Sequence, residues 1–120
     1  MPAPKHILIV DDEPVVCMTV KDILTSFGYQ ITVLHNGLEA KECLSTQTFS
    51  LILSDISMPG LDGFSLLAYI QEQKPNIPVI IMAGLADPQI TQRALDQGAK
   101  ACVEKPVKFQ DLHTLIETYI

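Results

Sequence analysis

Five short runs of almost unbroken aliphatic residues, separated by stretches of helical spacing, limit this chain to very few folds. The runs are His6–Val10, Gln30–Leu34, Leu51–Ser54, Val79–Met82 and Ala101–Val103. A strand with one face in water alternates apolar and polar residues; a strand covered on both faces does not. These runs therefore predict the buried strands of a parallel sheet. In the first intervening stretch Val16, Val20, Ile23, Leu24 and Phe27 share one helical face, with Pro14 suited to the first turn and Gly28 to the C-terminal stop. Asn36 is placed to cap a helix through Leu38–Leu44, and Asp62 one through Phe64–Gln73 that ends before Pro75. Asp87-Pro88 opens a fourth helix closed by Gly98, and Leu112, Leu115, Ile116 and Tyr119 give a fifth its apolar stripe.

Strand and helix thus alternate five times. Such an order predicts an α/β fold, (βα)5 and doubly wound, with right-handed crossovers and helices on both faces of the sheet. The common strand order for five such units is 2-1-3-4-5, with a ligand crevice where strands 1 and 3 diverge. Asp11 and Asp12 follow the first run and Asp55 the third, so all three are expected at that crevice, with Lys105 after the fifth run at the same sheet edge.

The 120 residues suffice for one core, and 48% apolar with 18% charged residues is a globular rather than a disordered composition. A net charge of −6 argues against this chain gripping nucleic acid through clustered Lys and Arg. Cys17, Cys43 and Cys102 form no CxxC pair and are odd in number, which suits reduced thiols in a cytoplasmic protein. Asp11-Asp12-Glu13 interrupts the early apolar run before it could serve for export, and the later apolar stretch Ile77 to Ala86 is too short to span a bilayer.

Three carboxylates in one pocket repel one another, and a hard divalent cation relieves that repulsion. Mg²⁺ prefers oxygen ligands and commonly takes one or two carboxylates together with a phosphate. Beside it Asp55 can stay ionised and attack phosphorus, giving an aspartyl phosphate, with Lys105 offsetting the charge on the transferred group. Each piece has a plainer reading when taken alone. Asp11-Asp12-Glu13 suits a helix start, Asp55 a turn before Met58-Pro59-Gly60, and Lys105 a solvated surface. Asp62-Gly63 reads as a cap without chemistry, and His6, His35 and His113 as surface residues. Cys102 reads as a small buried hydrophobe, and Met58, Met82 and Phe109 as packing.

Three stretches carry a resemblance: Ile7-Leu8-Ile9-Val10-Asp11-Asp12-Glu13-Pro14, then Asp55-Ile56-Ser57-Met58-Pro59-Gly60-Leu61-Asp62-Gly63, then Glu104-Lys105-Pro106. Over essentially its whole length, residues 1–120, the chain resembles the receiver domain of bacterial two-component response regulators, a flavodoxin-like fold. The resemblance implies that Asp55 is phosphorylated by a sensor histidine kinase or phosphotransfer protein. It implies that Asp12, Asp55 and the backbone carbonyl of Ser57 ligate Mg²⁺, with Asp11 acting partly through water, and that Lys105 contacts the phosphoryl group. Lys105-Pro106 is a candidate cis peptide. Such a domain catalyses only its own phosphorylation and dephosphorylation. It signals to an effector domain or protein through the face of helix 4, strand 5 and helix 5, and excision from a longer regulator or hybrid kinase is an open reading.

Two positions depart from the family pattern. Ala83 stands where receivers carry Thr or Ser, and Cys102 where they carry Tyr or Phe. The missing hydroxyl removes one hydrogen bond to a charged group, about 1.5–3 kcal/mol, so acceptance should survive better than the switch. These departures keep open a second reading, a receiver-shaped module that binds its partner without phosphorylation. A third, a flavodoxin-like cofactor binder, needs Ser, Thr and Gly after strand 1 where this chain has three acids in a row.

Overall fold

A computed structural model describes residues 5–56, 62–84 and 88–120. The elements alternate as the aliphatic runs predict: β1 His6–Val10, α1 Pro14–Ser26, β2 Gln30–Leu34, α2 Gly37–Thr46, β3 Leu51–Asp55, α3 Gly63–Gln73, β4 Val79–Ala83, α4 Pro88–Asp96, β5 Ala101–Glu104 and α5 Phe109–Tyr119. The strands form one parallel sheet in the order β2-β1-β3-β4-β5. Three strands run one residue past their aliphatic stretch, to Asp55, Ala83 and Glu104, because parallel pairing continues through Asp55↔Met82 and Ala83↔Glu104. Polar side chains at these ends do not stop the backbone ladder, which depends only on N–H and C=O groups.

Burial follows strand position. The central strands β3 and β4 are buried at every residue, whereas edge strand β2 is nowhere fully covered. Alternate residues feed two separate cores. Leu8, Val10, Ile52, Val79 and Ile81 pack with Ala40, Leu44, Leu66, Leu67, Ile70 and Ala94 of α2, α3 and α4. Ile7, Ile9, Leu51, Leu53, Ile80 and Met82 pack with Cys17, Val20 and Leu24 of α1 and Leu112 and Ile116 of α5. Fully burying one such side chain contributes about 1.5–3 kcal/mol, so the two layers fix which helices cover which face.

Local signals act where the sequence places them. The side chains of Asn36 and Asp62 accept from the backbone N–H groups of Glu39 and Ser65, capping α2 and α3. Gly28 turns the chain after α1 at φ +92°, a left-handed conformation that side-chain-bearing residues rarely adopt. Asp87 lies outside the described residues, so the fourth cap is not assigned. Two expected environments are corrected. His6 is half-buried rather than on the surface, contacting Thr32 Oγ1 at 2.6 Å, whereas His113 keeps its side chain 44% exposed and contacts Glu117 at 2.7 Å. Phe109 is 51% exposed, its ring meeting Phe27 in a T-shaped contact. Among the described residues no helix is long and apolar enough to cross a membrane.

Candidate functional site

The register brings the acidic residues to one end of the sheet. Val10 pairs with Ser54 in the β1–β3 ladder, so the next residues, Asp11 and Asp55, emerge side by side. The N–H of Lys105, just past β5, donates to the carbonyl of Ala83 at 2.7 Å and carries its side chain back across the sheet end. Its Nζ lies 2.8 Å from Asp11 Oδ2, 3.1 Å from Asp55 Oδ2 and 3.1 Å from Glu13 Oε1. The Lys105-Pro106 peptide is cis, as expected.

Asp11 is fully buried and Asp55 is 4% exposed, while Asp12 and Glu13 stand in solvent. Burial opposes the charge on Lys105, but the carboxylates of Asp11, Asp55 and Glu13 outweigh it and hold the ammonium well above the ordinary lysine pKa. One lysine does not complete the pocket. Asp11 Oδ1 accepts from the Glu13 N–H at 2.9 Å, whereas Oδ2 has no aligned hydrogen bond although Lys105 lies close to it. Carboxylate oxygens of Asp11, Asp12, Glu13 and Asp55 come within 4.8 Å of one another. An all-oxygen donor set of this size, with more carboxylates than one ammonium can neutralise, fits a hard divalent cation.

Asp11, Asp12, Asp55 and Lys105 therefore converge as their positions in the sequence imply. Ser57, expected to lend its carbonyl, lies outside the described residues, as do Met58, Pro59 and Gly60. Ala83 ends β4 at 5% exposure. Cys102 is half-buried rather than buried: it leans on the core beneath α2, α3 and α4, and with Lys105, Thr114 and Leu115 it lines an open cleft of about 580 Å³.

Sequence reasoning passes over three features. Glu13 is a third carboxylate on Lys105, and its place in the acid run is the only signal for it. Gly63, read with Asp62 as a cap without chemistry, begins α3 against the end of β3. Its N–H donates to the Ile56 carbonyl at 3.0 Å, and a Cβ there would collide with the Asp55 carbonyl and sit 2.6 Å from Ile56 Cα. Third, Cys17 Sγ and His35 Nδ1 each lie 3.2 Å from the Asp11 carbonyl oxygen. Burial, with the Asp11 charge adding to it, pushes the Cys17 thiol up to about 11, so it stays protonated at neutral pH.

Residues 7–117 match the response regulator receiver domain family. The chain is 34% identical over 113 residues to the sensor histidine kinase RcsC of Salmonella typhi, covering 94% of this chain and 12% of that protein. It is 36% identical over 112 residues to the DNA-binding transcriptional regulator NtrC of Escherichia coli K12, covering 93% of this chain and 24% of that one. The chain thus spans less than a quarter of the length of these relatives. Among solved structures, the receiver domain of a sensor histidine kinase from Pseudomonas aeruginosa, with a magnesium ion coordinated in its active site cleft, superposes with a TM-score of 0.89 at 28% identity, covering 98% of each chain.

Proposed function

This chain belongs to the response regulator receiver domain family, and from that premise we propose that Asp55 is its phosphoacceptor, with residues 1–120 acting as one receiver unit. The observation that carries the proposal is the convergence of Asp11 and Asp55 on the Nζ of Lys105, within 2.8 and 3.1 Å, at a sheet end where Asp12 supplies a further exposed carboxylate. Asp12, Asp55 and the Ser57 carbonyl would hold Mg²⁺, with Asp11 acting partly through water. When bound, the ion neutralises charge on the phosphoryl oxygens.

The remaining work falls to the chain itself. The Asp55 carboxylate forms the new P–O bond as the P–N bond of the donor's phosphohistidine breaks, its electron pair returning to the imidazole. Asp11, held by the Glu13 N–H and paired with Lys105, keeps the lysine aimed at that oxygen. Lys105 stays charged throughout and balances the phosphoryl group as it arrives. The chain catalyses no more than its own phosphorylation and dephosphorylation. Its partners are a cytoplasmic sensor histidine kinase or phosphotransfer protein upstream and an effector domain or protein downstream, met through α4, β5 and α5. It makes no nucleic acid contact of its own.

Incubation with Mg²⁺ and a small acyl phosphate, read by intact mass, should add one phosphoryl group to the protein and none to Asp55→Asn. An unphosphorylated wild type, or equal labelling of the variant, would count against the proposal. Ala83 favours a second reading, a module that binds its partner without phosphorylation, because it offers no hydroxyl to follow the phosphoryl oxygen. Equal partner affinity with and without a phosphoryl mimic such as beryllofluoride would support that reading.

A further inference from the structure

The Asp11 main chain is held more tightly than its place just beyond a strand requires. Its N–H donates to the Leu34 carbonyl at the end of β2, at 3.0 Å. Its carbonyl meets two side chains from different elements: the thiol of Cys17, on the first turn of α1, and the imidazole Nδ1 of His35, in the link from β2 to α2, each at 3.2 Å. Those two groups lie farther from each other, at 3.9 Å, than either lies from the oxygen. The carbonyl is therefore their common acceptor. Because a carbonyl can only accept, the donors are the Cys17 thiol and a proton on His35 Nδ1.

We infer that His35 and Cys17 are positioning residues for the acidic site, holding the Asp11 backbone so that its buried Oδ2 faces the cation position and Lys105. With N–H, carbonyl and Oδ1 all engaged by the protein around it, Oδ2 is the Asp11 oxygen turned to the Lys105 ammonium, 2.8 Å away. Partners of this kind set the direction of a ligand-bearing side chain without touching the ligand. The inference rests on the phosphoacceptor reading and deepens it. It also gives His35 a task that its exposed ring would not suggest, since the ring reaches inward through one nitrogen.

Mg²⁺ affinity by titration calorimetry tests it, alongside the rate of phosphorylation by an acyl phosphate. His35→Ala removes an exposed side chain and opens no core cavity, so it should melt as cooperatively as wild type. It should weaken Mg²⁺ binding about threefold to tenfold, at or below the lower end of what lost ligand-supporting bonds cost. His35→Asn, whose amide nitrogen can take the place of Nδ1, should stay within about twofold of wild type, as should Cys17→Ser beside a weakened Cys17→Ala. Wild-type Mg²⁺ affinity in both alanine variants overturns the inference alone. A wild-type protein that neither binds Mg²⁺ nor takes a phosphoryl group at Asp55 overturns the phosphoacceptor reading and this inference with it.

Discussion

Lys105 carries most of the charge balance within the site. Its side chain is 10% exposed and serves two carboxylates that are themselves nearly or fully buried. Removing one partner from a buried ion pair generally costs about 3–5 kcal/mol, chiefly because the remaining charge is left uncompensated. Lys105→Met should therefore lower stability by about 3 kcal/mol, and Mg²⁺ should restore more stability to it than it adds to wild type. Denaturant melts at matched ionic strength, with and without Mg²⁺, measure both effects. Cys17 gives a separate prediction at alkaline pH. Its thiol titrates near 9.0 when free and near 11 in the fold, so the folded state holds the proton longer than the unfolded chain does. Its contribution is complete below about pH 9 and is lost as pH rises towards 11. It amounts to roughly 2 kcal/mol, which Cys17→Ala should remove from the difference between melts at pH 8 and pH 11.

Among the helices, α4 is the least anchored in apolar terms, with Ala94 its only buried residue. Instead, the Arg93 guanidinium stacks 3.8 Å from the Phe64 ring centroid, and Gln97 Nε2 donates to the Phe64 carbonyl at 3.4 Å. Arg93→Ala should cost about 0.5–1 kcal/mol and speed amide exchange in α4 while leaving β3 and β4 unchanged. At the other end of this contact, Gly63 abuts the Asp55 backbone. A methyl there has no flexible neighbour to displace, so Gly63→Ala should destabilise by roughly 1–3 kcal/mol and slow phosphorylation as well, read by melting and by intact mass over time. These contacts mark where legibility in the sequence stops. Aliphatic runs and caps announce the elements, and the shared sheet end announces Asp11, Asp55 and Lys105, because both follow from chain order. Glu13, Gly63 and His35 depend on which side chains meet across elements. A helix that starts against Asp55 and a ring that turns inward leave no periodic trace.

For the whole molecule, part of an excess of acid is gathered at the proposed site. The chain has 14 acidic residues against eight basic ones, and four of the acids lie within 4.8 Å of one another at the end of the sheet. Gathering them opposes folding, and Lys105 offsets only part of that repulsion. A ligand that binds the folded chain and not the unfolded one stabilises it by RT ln(1 + [L]/Kd), so each tenfold rise in Mg²⁺ above its dissociation constant should add about 1.4 kcal/mol. For a domain of this size that is roughly 4–8 °C in the melting temperature per decade. Sodium chloride at equal ionic strength screens all the acids alike and should reproduce only a small part of the rise. Asp12→Asn tests whether the effect belongs to the site. Asp12 is exposed and its replacement leaves the core intact, so stability without Mg²⁺ should change little while the slope against Mg²⁺ flattens. If Asp12→Asn keeps the wild-type slope, Mg²⁺ is acting on the surface at large, and the proposed metal role of the Asp11, Asp12 and Asp55 set is wrong.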